Sequence, residues 1–411
     1  MKIAVMGFGT VGSGVVEVLT KNNDVIVKSS LGQAMDLGYI LDIRDFPGSP
    51  YEKYFTKNFN DIISDPEVKI VVETMGGVTF AYDYVKQALL SGRSVVTSNK
   101  QLVAEKGYEL LQIADKKNVN FMFEASVGGG IPIIAPLTEC LTANRIEEVA
   151  GILNGTTNYI LTQMIDNGVD FSQALKEAQD LGYAEKDPTS DIEGYDACRK
   201  ICILASLCYG KHIYPEDVST EGIKDVTLND VAYAKKCGCQ IKLIGSSKPV
   251  EGGHITASVA PAFIKDSSIL ADVHDVFNAI MVRGDALGDV VFYGRGAGKM
   301  PTASAVVADV IDCAKHLLRK RAFGWGAPEK GFVVSDDFLT SRMYFRAETN
   351  DYSLSEKEIK DKFPEAEILS DGSLNEIAFM TDAGNIGELK NKAESVENMN
   401  IKMTMRLMNL A

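Results

Sequence analysis

Residues 2–12 read Lys2-Ile3-Ala4-Val5-Met6-Gly7-Phe8-Gly9-Thr10-Val11-Gly12, and this stretch decides the fold. Its first part is apolar enough for a buried strand, and a helical apolar pattern follows at 15–19. Between a strand and a helix, G-x-G-x-x-G is typical of a dinucleotide-binding turn. Gly7 permits the tight turn, Gly9 admits a pyrophosphate to the backbone, and Gly12 allows close helix–strand packing. The stretch therefore predicts a dinucleotide site, with a turn that binds no ligand as the alternative.

Strand-like and helix-like segments alternate after this turn, which predicts a Rossmann-type, parallel, doubly wound α/β sheet. The predicted strands are 39–43, 69–72, 94–97 and 120–123, and the predicted helices are 79–91 and 101–116. Polar or glycine-rich loops follow three of these strands, at 73–77, 97–100 and 124–130. Ligands bind at the carboxyl ends of such strands, so we expect the three loops to meet at one crevice.

The pattern changes at about residue 145, where strand-like stretches mix with long helices. The predicted strands there are 147–153, 241–245, 254–260 and 290–293. They indicate an α+β domain with an open sheet and helices on one face. A glycine-rich run at 294–298 precedes a predicted helix, 303–318, which we expect to return to the first domain. Residues 338–411 then follow a β-α-β-β-α-β order, the ferredoxin-like arrangement.

Composition narrows the class of protein. With 411 residues, the chain has room for two or three domains, and its net charge of −14 argues against nucleic-acid and anionic-membrane partners. No apolar run is long enough to span a bilayer, and the N-terminus reads as a strand rather than a signal peptide. Seven cysteines without a secretion signal suggest reduced thiols, so we expect a cytoplasmic protein. Neither cysteines nor histidines have zinc-site spacing.

A charged block at 182–200 contains Gly-Tyr-Ala-Glu-Lys-Asp-Pro and then Asp191, Asp196 and Lys200. Ser190 or Asp191 is predicted to cap a helix through 197–202, which places Asp196 and Lys200 four residues apart on one face. The flanking positions are apolar, so the helix is packed. A charged pair on a packed helix is expected to line a polar cavity, because a lone buried charge is costly. An ordinary helix salt bridge is the alternative.

The chain resembles the homoserine dehydrogenase family along nearly its whole length. The resemblance rests on the glycine turn, on Thr-Ser-Asn-Lys at 97–100, and on Glu-Ala-Ser-Val-Gly-Gly-Gly-Ile-Pro at 124–132. It rests above all on Gly-Ile-Leu-Asn-Gly-Thr-Thr-Asn-Tyr-Ile-Leu at 151–161 and on the block at 182–200. It implies NAD(P)H-dependent reduction of L-aspartate 4-semialdehyde to L-homoserine, in threonine and methionine biosynthesis, by a homodimer or homotetramer.

The resemblance also assigns site residues. It implies that Lys200 is the proton donor, that Asp196 orients it, and that Lys100 is a second cationic candidate. The implied substrate contacts are Glu185 and Asp191 for the ammonium, with Tyr183 and Thr156. The implied cofactor contacts are Gly7, Phe8, Gly9, Thr10, Val11, Gly12, Arg44, Thr74, Lys100 and Gly298. A sodium-binding loop, built mainly from backbone carbonyls, is implied at Glu124, Val127, Gly129 and Ile131.

The choice of coenzyme depends on the end of the second strand. Asp42 could accept a hydrogen bond from a ribose hydroxyl, as in NAD-binding proteins. Arg44 and Lys57 could hold a 2′-phosphate, and in the family an arginine here usually accompanies NADP. We expect NADP, with NAD left open.

The C-terminal segment resembles an ACT domain, an amino-acid-sensing module. The effector loop of such modules usually contains Asp-x-Pro-Gly, whereas residues 350–355 read Asn-Asp-Tyr-Ser-Leu-Ser. The segment is therefore expected to be regulatory or to mediate association. The predicted domains are 1–135 for the dinucleotide, completed by a helix at 298–319, then 136–297 for substrate and dimerisation, and 336–411.

Two other functions stay open at this point. One is a dehydrogenase acting on another small amino-acid aldehyde or keto acid. The other is a nucleotide-sensing regulator that keeps the fold without the chemistry. The set of Glu185, Asp191, Asp196 and Lys200 favours an enzyme, because a sensor has no need of an acid–base lysine.

Overall fold

The computed structural model describes residues 1–317 and 319–410, and these form two compact units. The first unit contains Met1–Ala143, Cys202–Pro215 and Gly294–Glu329. The second contains Asn144–Ile201, Glu216–Tyr293 and the described residues from Lys330 onward. Strands and α-helices are numbered along the chain, β1–β19 and α1–α13. The units differ from the predicted domains, because 136–143 and 202–215 group with the first unit and 336–410 group with the second.

The first unit contains a six-stranded parallel sheet with the order β3-β2-β1-β4-β5-β6, the Rossmann order. Its strands are Lys2–Met6, Asp36–Leu41, Phe55–Thr56, Val68–Glu73, Ser94–Thr97 and Phe121–Met122. Its helices are α1 to α5, at Thr10–Lys21, Asn23–Ser29, Phe59–Ser64, Thr79–Leu90 and Lys100–Lys117, and α11 at Lys299–Lys315. The predicted doubly wound sheet is confirmed.

Helix α11 packs against α1 in this unit. Gly14 makes the close approach possible, because a Cβ there would lie 2.9 Å from the Lys299 carbonyl oxygen and 3.0 Å from the Ala303 Cβ. The sequence predicts this helix at 303–318. In the structure it begins four residues earlier, at Lys299, and ends at Lys315. Leu318, the end of the predicted helix, lies outside the described residues.

The second unit is built on an eleven-stranded mixed sheet. Its main order is β12-β11-β7-β9-β10-β19-β15-β17-β16, and β8 and β13 also pair with β10. The strands β7 to β13 are Ile146–Ile152, Ser219–Thr220, Cys239–Val250, His254–Lys265, Phe277–Gly284, Gly288–Arg295 and Val333–Val334. The helices α6 to α10 are Gly155–Asn167, Phe171–Asp180, Thr189–Ile192, Tyr195–Tyr209 and Leu228–Lys236.

The C-terminal segment continues this sheet. Its strands β14 to β19 are Thr340–Ser341, Met343–Thr349, Glu367–Ile368, Glu376–Met380, Gly384–Asn385 and Met399–Met408. Of these, β14 and β18 form a separate two-stranded sheet, and the other four join the large sheet. Its helices α12 and α13 are Tyr352–Lys362 and Ile386–Glu394. The order β19-β15-β17-β16 is the ferredoxin-like one. Strand β19 also pairs in parallel with β10, with Ala262–Ile264 opposite Arg406–Met408, so the segment shares one sheet with the preceding residues.

A buried ion pair joins the C-terminal segment to α10. The Asp230 carboxylate is fully buried and accepts from Arg346 Nε at 2.7 Å and Nη2 at 3.1 Å. It also accepts from the Tyr344 hydroxyl at 2.7 Å and from the Thr227 backbone N–H at 2.8 Å. The positive charge that compensates Asp230 is therefore supplied by Arg346 of β15.

One local prediction in the second unit is wrong. Ser190 and Asp191 do not cap the helix that carries Lys200, because they lie inside a separate short helix, α8. The carboxylate of Asp187 accepts from the Thr189 N–H at the start of that turn instead. In the described part of the chain, no helix combines the length and apolar character needed to cross a bilayer.

Candidate active site

The glycine turn of the first unit fits a dinucleotide. Gly7 has a φ of +92°, and a Cβ at Gly12 would lie 1.8 Å from the Gly7 carbonyl oxygen. The hydroxyl of Thr74 lies 2.9 Å from that same oxygen and supports the turn. A Cβ at Gly9, in contrast, would meet nothing within 4 Å. Gly7 and Gly12 are therefore required by the protein itself, whereas the open space at Gly9 suits an external group such as a pyrophosphate.

Asp42 and Arg44 form a compact pair at the end of β2. Asp42 Oδ1 accepts from Arg44 Nε at 3.0 Å, and Oδ2 accepts from Arg44 Nη2 at 2.9 Å. The Phe8 N–H donates to Oδ2 at 2.7 Å, so the pair is anchored on the glycine turn. These hydrogen bonds, chiefly the one from Arg44, lower the pKa of Asp42 to about 2. A cavity of about 260 Å³ beside the pair is also lined by Lys57.

A closed ring of hydrogen bonds joins the carboxyl ends of β4 and β5. Glu73 is fully buried, and its carboxylate accepts from the Met75 N–H at 2.7 Å and the Thr97 hydroxyl at 2.5 Å. Thr97 accepts from the Asn99 N–H, and Asn99 Nδ2 donates to the Gly77 carbonyl at 2.5 Å. Burial raises the pKa of Glu73. The ring fixes two of the three loops predicted to meet.

Lys100 follows this ring directly. It is the first residue of α5, and the side chain of Asn99 caps that helix by accepting from the Leu102 N–H at 3.0 Å. The position of Lys100 is thus set by the capped helix start. The remaining predicted cofactor residue, Gly298, precedes α11 with a φ of +122°, a conformation that favours glycine.

The third loop, at 124–130, is held by the side-chain carboxylate of its first residue, which accepts hydrogen bonds from backbone amides. Glu124 is buried and accepts from the N–H groups of Ile133, Ile134 and Ala135 at 2.6, 2.8 and 2.7 Å. The carboxylate is therefore engaged by three amides, and the backbone carbonyl of Glu124 is the candidate cation ligand. Gly129 turns the loop with a φ of +58°, and a Cβ there would lie 2.2 Å from the Gly296 carbonyl oxygen. In the described residues, no three His, Cys, Asp or Glu side chains cluster as a metal site.

Lys200 and Asp196 form a buried pair in the second unit. Both lie on α9, with exposures of 7% and 3%. Lys200 Nζ donates to Asp196 Oδ2 at 2.8 Å and to the Leu153 carbonyl at 2.7 Å. A buried ammonium with two fixed acceptors has a defined direction, which a surface helix salt bridge lacks.

Asn154 connects this pair to Asp191. Its Nδ2 donates to Asp196 Oδ2 at 2.9 Å and to Asp191 Oδ1 at 2.8 Å. Its Oδ1 accepts from the Thr157 N–H at 2.8 Å and caps α6. One amide thus orients two carboxylates and is itself fixed by a helix start.

The other predicted substrate residues border the same part of the second unit. The Thr156 hydroxyl donates to the Tyr183 carbonyl at 2.8 Å, which ties α6 to the 182–188 turn. Tyr183 is 45% exposed, and its ring packs edge-on against that of Tyr159. Glu185 is exposed on the same turn, and its backbone carbonyl accepts from Gln179 Nε2 at 3.1 Å. Lys100 belongs to the first unit and these residues to the second.

The sequence analysis did not assign roles to Asn154, Glu73, Thr97 and Asn99. Two of them carry a readable signal, because asparagine directly before a helix is a preferred cap, as at Asn99 and Asn154. The hydroxyl that donates to Glu73 belongs to Thr97, 24 residues later in the sequence, and no local pattern reveals such a pairing.

Known proteins are similar to this chain over both units. The model of the homoserine dehydrogenase NAD-binding domain matches residues 7–124, and the homoserine dehydrogenase model matches 132–311. The homoserine dehydrogenase of Helicobacter pylori is 38% identical, with 97% of this chain and 96% of that protein covered.

Solved structures extend the similarity to the fold. A homoserine dehydrogenase from Thiobacillus denitrificans superimposes with a TM-score of 0.89 at 35% identity, over 100% of this chain and 99% of that one. A hyperthermophilic archaeal homoserine dehydrogenase in complex with NADPH gives 0.63 at 30% identity, over 76% and 97%.

The parallel sheet with its glycine turn and these matches make the chain a nicotinamide-dependent oxidoreductase. The near-complete coverage of the Helicobacter pylori enzyme narrows the class further. The chain belongs to the homoserine dehydrogenase family, as its motifs predict, and it catalyses NAD(P)H-dependent reduction of L-aspartate 4-semialdehyde to L-homoserine.

Proposed function

We propose that Lys200 protonates the substrate carbonyl oxygen as the aldehyde is reduced, and that Asp196 orients it. A nicotinamide bound at the glycine turn would supply a hydride to the carbonyl carbon, and the carbonyl oxygen would then carry negative charge. A buried ammonium held by Asp196 and the Leu153 carbonyl can stabilise the charge and deliver the proton. This fixed, buried pair is the observation that carries the assignment. Lys100 is the second cationic candidate.

The carboxylates of Asp191 and Glu185 suit the substrate ammonium. Asp191 is oriented by Asn154, and Glu185 is exposed on the adjoining turn. Thr156 and Tyr183, which fasten that turn to α6, complete the proposed substrate contacts.

Replacing Asn154 by alanine tests this arrangement. The change removes one helix cap and the donor shared by Asp191 and Asp196, so we expect kcat to fall roughly tenfold to a hundredfold. The free energy of unfolding should also fall by about 1 kcal/mol.

Asp170→Ala is the matched control. Asp170 caps α7 by accepting from the Gln173 N–H at 2.9 Å. It should reproduce the loss of stability and leave kcat near that of the unaltered enzyme. Equal kcat values for the two variants would contradict the orienting role of Asn154.

NADP is the proposed coenzyme. Both oxygens of Asp42 are engaged by Arg44 and Phe8, so a ribose hydroxyl would compete with existing hydrogen bonds. The Arg44 side chain is 58% exposed beside the cavity, where its guanidinium can contact a 2′-phosphate. The archaeal relative solved with NADPH is consistent with this choice. NAD remains the alternative.

Arg44→Ala should lower the NADP/NAD ratio of kcat/KM by about tenfold to a hundredfold, since it removes a charge-assisted contact. Lys57→Ala is the comparison, because Lys57 is paired with Asp45 at 2.8 Å on the same cavity. An unchanged ratio in Arg44→Ala together with a lowered ratio in Lys57→Ala would move the phosphate contact to Lys57.

A monovalent cation is proposed for the loop at 124–131. The three amides on Glu124 and the tight turn at Gly129 fix the loop, and the proposed ligands are the backbone carbonyls of Glu124, Val127, Gly129 and Ile131. Sodium at constant ionic strength should raise the melting temperature relative to choline, and identical melting curves would contradict the site.

The C-terminal segment is proposed to be an ACT-like module that mediates association in a homodimer or homotetramer. Asp351 of the degenerate effector loop caps α12 by accepting from the Leu354 N–H at 3.0 Å, so its carboxylate is already used. Threonine should therefore inhibit weakly or not at all, and tight inhibition would contradict this proposal. The cytoplasmic location likewise stays a proposal.

A further inference from the structure

An aromatic ring lies against the guanidinium proposed to contact the 2′-phosphate. Arg44 lies over the ring of Phe46, with Cζ 5.1 Å from the ring centroid. A guanidinium in this position is attracted by the negative face of the ring. Both residues line the cavity of about 260 Å³ at the end of β2. Phe46 has no role in the function proposed above.

The Phe46 ring is itself held in place by two other rings. It stacks on Phe55, with centroids 4.8 Å apart and planes 19° apart. Phe8 contacts both rings edge-on, at centroid distances of 5.0 and 5.1 Å. Phe8 also belongs to the glycine turn, and its N–H donates to Asp42 Oδ2 at 2.7 Å. The ring beside Arg44 is therefore tied to the turn that suits a pyrophosphate.

The Arg44 guanidinium is held along one edge and on one face. Its Nε and Nη2 donate to the two oxygens of Asp42 at 3.0 and 2.9 Å. Hydrogen bonds along one edge leave the planar group free to tilt about that edge, and the contact with Phe46 limits the tilt. Among residues 1–317 and 319–410, Nη1 has no hydrogen-bond partner. The Nη1–Nη2 end thus keeps donors for an external acceptor in a defined orientation.

We propose that Phe46 is a positioning residue for coenzyme choice, because its ring holds the Arg44 guanidinium ready for a 2′-phosphate. This inference rests on the proposed preference for NADP. A guanidinium that is already oriented loses less conformational freedom when it binds phosphate oxygens bidentately. NAD lacks the 2′-phosphate, so the ring should favour NADP alone. A contact between Phe46 and the adenine, in contrast, would serve both coenzymes equally.

Replacing Phe46 by leucine tests the proposal, since leucine keeps apolar bulk and removes the ring. Calorimetric titration of the full-length protein with NADP⁺ and with NAD⁺ gives the two Kd values. The preference for NADP⁺, expressed as the ratio of the two Kd values, should fall by roughly twofold to fivefold. Phe46→Tyr keeps the aromatic face and should keep the preference. Loss of packing alone would weaken both coenzymes by the same factor and leave the ratio unchanged.

A double-mutant cycle shows whether the ring acts through Arg44. In the Arg44→Ala background, Phe46→Leu should cause no further change in the ratio. The matched control is Tyr54→Leu, which removes another cation–π contact of the same unit. Lys53 Nζ lies 4.9 Å from the Tyr54 ring centroid, and neither residue lines the cavity. This control should keep the full preference for NADP⁺.

The outcomes separate this inference from the proposed coenzyme contact. If Arg44→Ala lowered the ratio and Phe46→Leu did not, the role of Phe46 would be overturned and that of Arg44 would stand. An equal effect of Phe46→Leu with and without Arg44 would also overturn the inference, because the ring would then act without the guanidinium. An unchanged ratio in Arg44→Ala would overturn both.

Discussion

Replacing Lys200 by methionine is expected to lower kcat by about two to four powers of ten while NADP binding persists. Methionine keeps the length of the side chain and removes both the proton and the positive charge. Its position between Asp196 and the Leu153 carbonyl makes Lys200 a directed donor, and proton delivery is a transition-state task. Homoserine oxidation with NADP⁺ gives kcat, and fluorescence titration with NADPH gives the affinity.

A second lysine–aspartate pair of the same spacing supplies the control. Lys176 and Asp180 are also four residues apart on one helix, with Nζ and Oδ2 2.7 Å apart, but both side chains are exposed. Lys176→Met should leave kcat unchanged. If Lys200→Met also turned over at a near-normal rate, the donor role would pass to Lys100.

Replacing Arg346 by methionine is expected to cost the second unit about 3–5 kcal/mol of its free energy of unfolding. The loss arises because the fully buried Asp230 carboxylate would have no compensating positive charge. It would keep only hydrogen bonds from the Tyr344 hydroxyl and from groups of Thr227. Urea denaturation followed by circular dichroism measures the loss. The double variant Asp230→Asn/Arg346→Met should recover part of it, since no uncompensated charge is then buried.

An exposed pair in the same segment sets the scale for this effect. Lys360 and Glu356 form a salt bridge on α12 at 2.6 Å, with the lysine side chain 56% exposed. Lys360→Met should change stability by no more than about 1 kcal/mol. If Arg346→Met also lowered the free energy of unfolding by no more than about 1 kcal/mol, the Asp230–Arg346 pair would contribute little to stability.

Most of the fold could be predicted from local patterns, because apolar runs and glycine turns act within a few residues. The strand at 94–97 has the bounds that the sequence predicts. The strand predicted at 120–123 is only Phe121–Met122. There the side chain of Asn120 is used by distant backbone, donating to the His316 carbonyl at 3.0 Å and accepting from the Arg321 N–H at 2.8 Å. Such partners are invisible in a sequence window.

The site shows the same division between local and distant causes. The i,i+4 spacing predicts that Asp196 and Lys200 share a helix face, and they do. The cap predicted at Ser190 or Asp191 is wrong because both residues lie inside α8, and the Asp191 carboxylate accepts instead from Asn154, 37 residues earlier. The assigned roles of these residues stay predictions until the variants are assayed.

The packing of α11 on α1 has a consequence for biosynthesis. As the ribosome makes the chain from its N-terminus, all six parallel strands of the first unit emerge long before Lys299–Lys315. Until then, the surface of α1 around Gly14 lacks the helix that covers it. The nascent nucleotide-binding unit should therefore expose apolar surface through most of translation, which makes it a substrate for chaperones that capture unfinished domains.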